Sequence, residues 1–101
     1  NLCGKTNLSE AKLVRAILNE ANLCGANLSG ANLCGGTLLR TNLKGANLSY
    51  SNLMEAHLHG ANLSYANLRG ANLFGAKVTC EQLKQAKSLK GATMPDGTKH
   101  D

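Results

Sequence analysis

A chain of 101 residues with 43% apolar residues, 3% aromatics and no Trp suits one small domain whose core is built from Leu and Ala. Its 11 Lys and Arg against 6 acidic residues leave a net charge of +5. They form no cluster along the sequence and have no stacking aromatics beside them, so they read as a solvated surface and nucleic acid is not an expected partner.

No apolar run reaches the length of a membrane span, so membrane insertion is not expected. The cysteines at 3, 24, 34 and 80 fit no CxxC metal or redox spacing. Free thiols point to a reducing, cytoplasmic setting, with periplasm or thylakoid lumen as alternatives. Asn1 opens inside a repeat, which reads as a trimmed piece of a longer protein.

From Leu8 onward a leucine returns every five residues, through Leu13, Leu18 and Leu23 to Leu73, with Val78 taking the last place. Two residues before each stands a small side chain, such as Ala26, Gly36, Thr41 or Ser51. That alternation is the two-residue period of extended chain, and both positions should face inward. An α-helix would rotate the leucine stripe by about 140° per phrase, leaving no buried face. The compatible form is a short extended wall and a corner in every phrase, and the Gly after many centres suits the corner.

The start is out of register, since Leu2 and Leu8 are six apart. A bulge or corner change is expected near residues 4–6. With that shift Leu2 joins the wall of Leu23 and Cys3 lies beneath Cys24. Parallel Cβ vectors would strain a bridge there, so two stacked thiols are expected.

The residue before each centre is Asn in ten of fifteen phrases, the exceptions being Lys12, Ile17, Thr37, His57 and Lys77. Four of those five are spaced by twenty residues. This predicts four phrases per coil, with one wall unlike the others and coils about 4.8 Å apart. About four coils then make a post roughly 20 Å tall. The Asn columns, such as Asn7, Asn27, Asn47 and Asn67, read as structural ladders bonded to each other or to the corner backbone.

The phrase Ala-Asn-Leu-x-Gly, in tandem over Ala11 to Val78, resembles the pentapeptide-repeat proteins. The resemblance implies an all-β solenoid, a right-handed quadrilateral β-helix. Members of that family are abundant in cyanobacteria, and most have no assigned biochemical activity. This chain departs from the common pattern by having Asn where many members have Asp, and no Phe at a centre.

Twenty-residue coils sort the outward residues into columns. Val14, Cys34, Met54 and Phe74 form a continuous apolar stripe, which invites a protein partner or a second copy of the chain. The odd wall gives a possible second surface of Ile17, Leu39, His57 and His59. His57 and His59 flank an inward leucine and both point outward. A pair of this kind is half a zinc site, but no third ligand falls near it, so two solvated histidines are expected. Tyr50 and Tyr65 sit at corners and should cover the coil edge.

Beyond Val78 the pattern changes, dividing the chain into repeats (1–78) and a cap (79–101). Thr79 followed by Gln82 is a capping-box signature, and Leu83 and Ala86 share a helical face. A short helix over 80–87 is expected to close the exposed end of the core. The repeat resumes with centres at Leu89 and Met94, Met94–Gly97 reads as a β-turn, and 98–101 as a partly ordered tail.

A filled tube with convex walls offers no pocket, and the six acidic residues are dispersed, so no enzyme, cofactor or small-molecule substrate is expected. The expected role is a structural or protein-interaction module. One alternative is the DNA-mimic role of topoisomerase-binding family members, which are acidic and long where this chain is basic and short. Another is a thiol-based redox or metal-responsive element, for which no basic partner stands beside the cysteines.

Overall fold

The computed structural model describes Gly4 and residues 6–101. Each phrase makes one wall and one corner. In the phrase of Leu28 the leucine side chain is fully buried. Ser29 and Gly30 then form the centre of a tight turn, closed by the Ala31 N–H on the Leu28 carbonyl at 3.0 Å. The positive φ at Gly30, 69°, is the mark of a type II turn.

Parallel pairing recurs at the interval the odd phrases predict. Asn7 pairs with Asn27, Asn27 with Asn47 and Asn47 with Asn67, and the odd wall runs Ile17, Thr37, His57, Lys77. Four phrases therefore make one coil of a β-helix. Among the described residues each wall is paired through one residue only, because the next corner follows at once.

The backbone donors explain the asparagines. In the phrase 26–30, Ala26 donates to Leu23 O across the corner, and Asn27 donates down to Thr6 O at 2.9 Å. Leu28 and Gly30 donate up to Asn47 O and Ser49 O at 2.7 and 2.9 Å. The fifth N–H, on Ser29, faces no backbone carbonyl and is taken by Asn27 Oδ1 at 3.1 Å. The same Asx turn recurs at Asn7, Asn32, Asn47, Asn62 and Asn72. In the phrases that carry the asparagine, its side chain gives the one N–H without a backbone acceptor a partner. The asparagine ladders thus bond mainly to corner backbone. A side-chain link between coils also occurs, Asn42 Nδ2 to Asn22 Oδ1, at 3.4 Å.

The core is a column of leucines. Leu28, Leu33, Leu38, Leu43, Leu48, Leu53, Leu58, Leu68 and Leu73 have no exposed surface, and the small positions Ala26, Ala31, Ala46 and Ala66 lie beside them. The two buried polar residues at small positions satisfy their hydroxyls on the backbone: Thr41 Oγ1 donates to Leu18 O at 2.8 Å and Ser51 Oγ to Leu48 O at 2.7 Å.

Near the start, Gly4 N–H bonds Cys24 O, twenty residues on, whereas Leu8 N–H bonds Asn27 O, nineteen on. The register changes between them. Lys5, within that interval, and Cys3, in the expected stack, lie outside the described residues; Cys24 itself is disulfide-bonded, which corrects the free thiol expected there.

The cap begins at Thr79 and forms α1 (Cys80–Lys84), shorter than the 80–87 expected from the pattern. The reason is the ladder. Gln85 O already accepts from Tyr65 N–H, and Lys87 N–H reaches Ala66 O at 2.7 Å, so the chain has rejoined the stack where the helix was to continue. The capping box is present, and Gln82 does more than close it. Its Oε1 accepts from Thr79 N–H, while its Nε2 donates to Leu58 O at 2.7 Å and Ala61 O at 2.9 Å. At Ala61 O this side chain supplies the donor that the backbone of a further coil would have supplied, and at Leu58 O it adds to the corner bond from Ala61 N–H.

After α1 the pairing interval becomes twenty-one, Asn67 with Ser88 and Asn72 with Thr93. The turn closes as expected, Gly97 N–H on Met94 O at 2.8 Å. The tail is more ordered than expected. Lys99 pairs antiparallel with Thr93, and His100 N–H bonds Ala92 O at 2.8 Å. The extra layer and this returning strand make the molecule 35 Å in its longest dimension by 24 Å across, taller than four coils alone. Among the described residues no helix is long and apolar enough to cross a membrane.

Candidate interaction surface

With the interior filled, what remains to act is the surface, and the corners shape it. Glycine is not universal there: Glu10, Arg15, Glu20, Arg40, Tyr50, Glu55 and Tyr65 also hold a φ between 55° and 62°. In two columns large corner residues alternate with glycine, Glu10, Gly30, Tyr50, Gly70 and Arg15, Gly35, Glu55, Gly75. The Tyr50 ring lies over Gly70, where a Cβ would come within 2.5 Å of it, and the Arg40 chain lies over Gly60, where a Cβ would meet Cγ at 2.9 Å. Glycine at those corners therefore serves the side chain from the coil before as well as its own φ. Tyr50 covers a coil edge, as expected.

The apolar stripe faces outward along one edge. Val14 is 51% exposed and Phe74 46%, with Cys34 and Met54 half-buried between them. Column order follows from the ladder, since Arg15 N–H bonds Cys34 O, Gly35 N–H bonds Met54 O and Glu55 N–H bonds Phe74 O, at 2.8–2.9 Å. The next link is Gly75 N–H to Pro95 O at 2.9 Å, so Pro95 is a fifth member. Sequence reading missed it because α1 shifts the register by one residue. From Pro95 the stripe runs into a groove of about 300 Å³ lined by Val78, Cys80, Leu83, Met94, Pro95, Asp96 and Thr98. The groove is the unfilled end of the core column, partly roofed by the cap.

At the groove rim Asp96 accepts from the Thr98 hydroxyl at 2.6 Å and the Thr98 N–H at 3.0 Å. These bonds to the ionised form hold its carboxyl below the ordinary range.

The odd wall is more polar than the stripe. Ile17 is 77% exposed, Leu39 is half-buried, and His57 and His59 are exposed. This wall lacks the Asx turns, and Leu39 N–H instead takes Asn19 Oδ1 from the coil before at 3.0 Å. Beside it Arg40 and Glu20 form an exposed ion pair at 2.7 Å. Among the described residues no group of three His, Cys, Asp or Glu could hold a metal ion. The free thiols among them are Cys34, in the stripe, and Cys80, at the start of α1.

Comparison with known proteins agrees with this architecture. The profile for pentapeptide repeats matches residues 3–40 and 41–79, in eight copies. A pentapeptide repeat protein (Rfr23) from the cyanobacterium Cyanothece 51142 is 37% identical, with a TM-score of 0.65 over 90% of this chain and 65% of that one. HetL, involved in heterocyst differentiation regulation in Nostoc sp. strain PCC 7120, is 36% identical, with a TM-score of 0.40 over 98% of this chain and 55% of that one. A thylakoid-lumen pentapeptide repeat protein of Arabidopsis thaliana is 27% identical, with a TM-score of 0.40 over 93% of this chain and 61% of that one. The chain thus spans between 55% and 65% of the length of these relatives. No curated protein matches it.

Proposed function

The chain belongs to the pentapeptide-repeat family, and we propose that it is a non-enzymatic module that offers one apolar edge to a protein partner, first of all a second copy of itself. The carrying observation is the stripe. In a fold whose centre leucines are turned inward, Val14, Cys34, Met54 and Phe74 stack outward in one line and continue through Pro95 into the groove beside Met94. Single exposed apolar residues are common, but a continuous line of five on a rigid edge is the form of a contact surface. The right hand of the coil, which fixes the order of the walls around it, rests on the likeness to the Cyanothece structure.

A non-enzymatic role is supported by the chemistry of the walls. The corner carboxylates Glu10, Glu20 and Glu55 stand in separate columns, and the groove contains one carboxylate and one thiol, with no base between them. The second surface, Ile17 with Leu39, His57 and His59, is broken by Thr37 and Lys77 and is assigned a lesser part.

Sedimentation equilibrium under reducing conditions tests the reading. The native chain is expected to be a dimer and Phe74→Glu a monomer with unchanged circular dichroism. Two monomers would overturn self-association at this edge.

A further inference from the structure

A second concavity lies on a different corner, away from the stripe. It has a volume of about 430 Å³ and is lined by Tyr50, Arg69, Gly70, Lys90, Gly91 and Lys99. Three of the six are cations and none is acidic. The fold gathers them from segments far apart in sequence. Arg69 and Lys90 stack in one corner column, joined by Gly70 N–H on Lys90 O at 2.9 Å. Lys99 arrives from the opposite direction, carried by the returning tail through its pairing with Thr93 and the Gly91 N–H bond to His100 O. Tyr50 forms the wall, with its ring over Gly70 and its hydroxyl 3.3 Å from Arg69 Nε.

We propose that this groove is a binding site for a small phosphorylated anion carrying a diphosphate. Three like charges repel when drawn together without a counter-charge, and an anion of about the same charge relieves that repulsion. A guanidinium beside two ammonium groups is the donor set that phosphate oxygens take. Gly70 is covered by the Tyr50 ring, but the space a Cβ would fill at Gly91 is open, so a ligand can approach the backbone there. The volume is that of a small-molecule site.

A long polyanion fits less well. The same corner carries Glu10 two coils before Tyr50, and the neighbouring corner carries Glu55, so carboxylates stand along the path a long polyanion would follow from the groove. Tyr50 gives the wall an aromatic face that a nucleotide would use and free pyrophosphate would not.

The test is calorimetric titration of the full chain at low salt with pyrophosphate and, separately, with ADP. Saturable one-to-one binding is expected. It should weaken at least tenfold in the double variant Lys90→Gln/Lys99→Gln and stay unchanged in Lys12→Gln/Lys44→Gln, which removes the same charge elsewhere. Tighter binding of ADP than of pyrophosphate, lost in Tyr50→Ser, would assign the site to a nucleotide; equal binding would assign it to the diphosphate alone. Absence of saturation, or equal weakening in both double variants, would overturn the proposal.

Discussion

At the scale of single residues, this fold depends on a left-handed conformation once per corner, and side chains without glycine's freedom often occupy it. Tyr65 holds a φ of 61° in the column of Gly25 and Gly45, with two thirds of its surface in solvent. A non-glycine residue there costs about 1–2 kcal/mol. Tyr65→Gly loses little packing and is expected to stabilise the fold by roughly 1 kcal/mol, read as a higher urea midpoint at unchanged slope. The opposite sensitivity belongs to Asp96. Its folded carboxyl is held low by the Thr98 hydroxyl and amide, so the stability it gives is full above the ordinary carboxylate range. That contribution is lost as pH falls through the lowered folded value. Amide exchange at Met94 and His100, whose N–H groups bond Thr98 O and Ala92 O, followed from pH 5 down to pH 2, should rise before exchange in the central coils does. Simultaneous loss would place the acid-sensitive group elsewhere.

At the scale of elements, the five-residue phrase made the coil legible before any coordinates. Leucine and alanine periods fixed the inward positions, and the twenty-residue interval of Ile17, Thr37, His57 and Lys77 fixed four phrases per turn, because each is a local consequence of wall geometry. On that basis Leu53→Asp, which would set a charge in a fully buried column, is expected to abolish the folded state, seen as lost circular dichroism and solubility. What sequence reading did not reach depends on where the chain returns to the ladder. The expected helix over 80–87 overran because Lys87 N–H meets Ala66 O, a pairing that side-chain pattern does not express. Pro95 and the cluster of Arg69, Lys90 and Lys99 were missed for the same reason, since the one-residue shift after α1 decides their neighbours. Gln82 was read as half of a capping box, while its amide also closes the coil beneath. Gln82→Ala should cost about 1–3 kcal/mol, more than an ordinary exposed cap, and Gln82→Glu should not restore it, since a carboxylate keeps the Thr79 bond and loses both donors. Thermal melts of the two variants would check this.

At the scale of the whole molecule, hydrogen bonds run along the long axis and leucines fill it, so the edges carry whatever distinguishes this chain from another of the same fold. The apolar edge and the cationic groove lie on different corners and both reach the capped end, where Pro95 and Lys99 belong to the same returning segment. The cap is therefore more than a lid: it completes both surfaces. A change that loosens it should weaken both, whereas Phe74→Glu should spare the groove.

The antiparallel pairing of Lys99 with Thr93 has one further consequence. A stack of identical parallel rungs is a template on which another molecule's first rung could seat itself, and repetition of that step would make a fibre. The reversed strand ends the template. It occupies the Gly91 and Met94 amides and the Ala92 carbonyl with a chain running the wrong way for the next rung. Growth along the axis is closed at this end, and association is directed sideways. Removing residues 98–101 should reopen it, and the shortened protein is expected to scatter light as end-to-end polymers at concentrations where the native chain stays small.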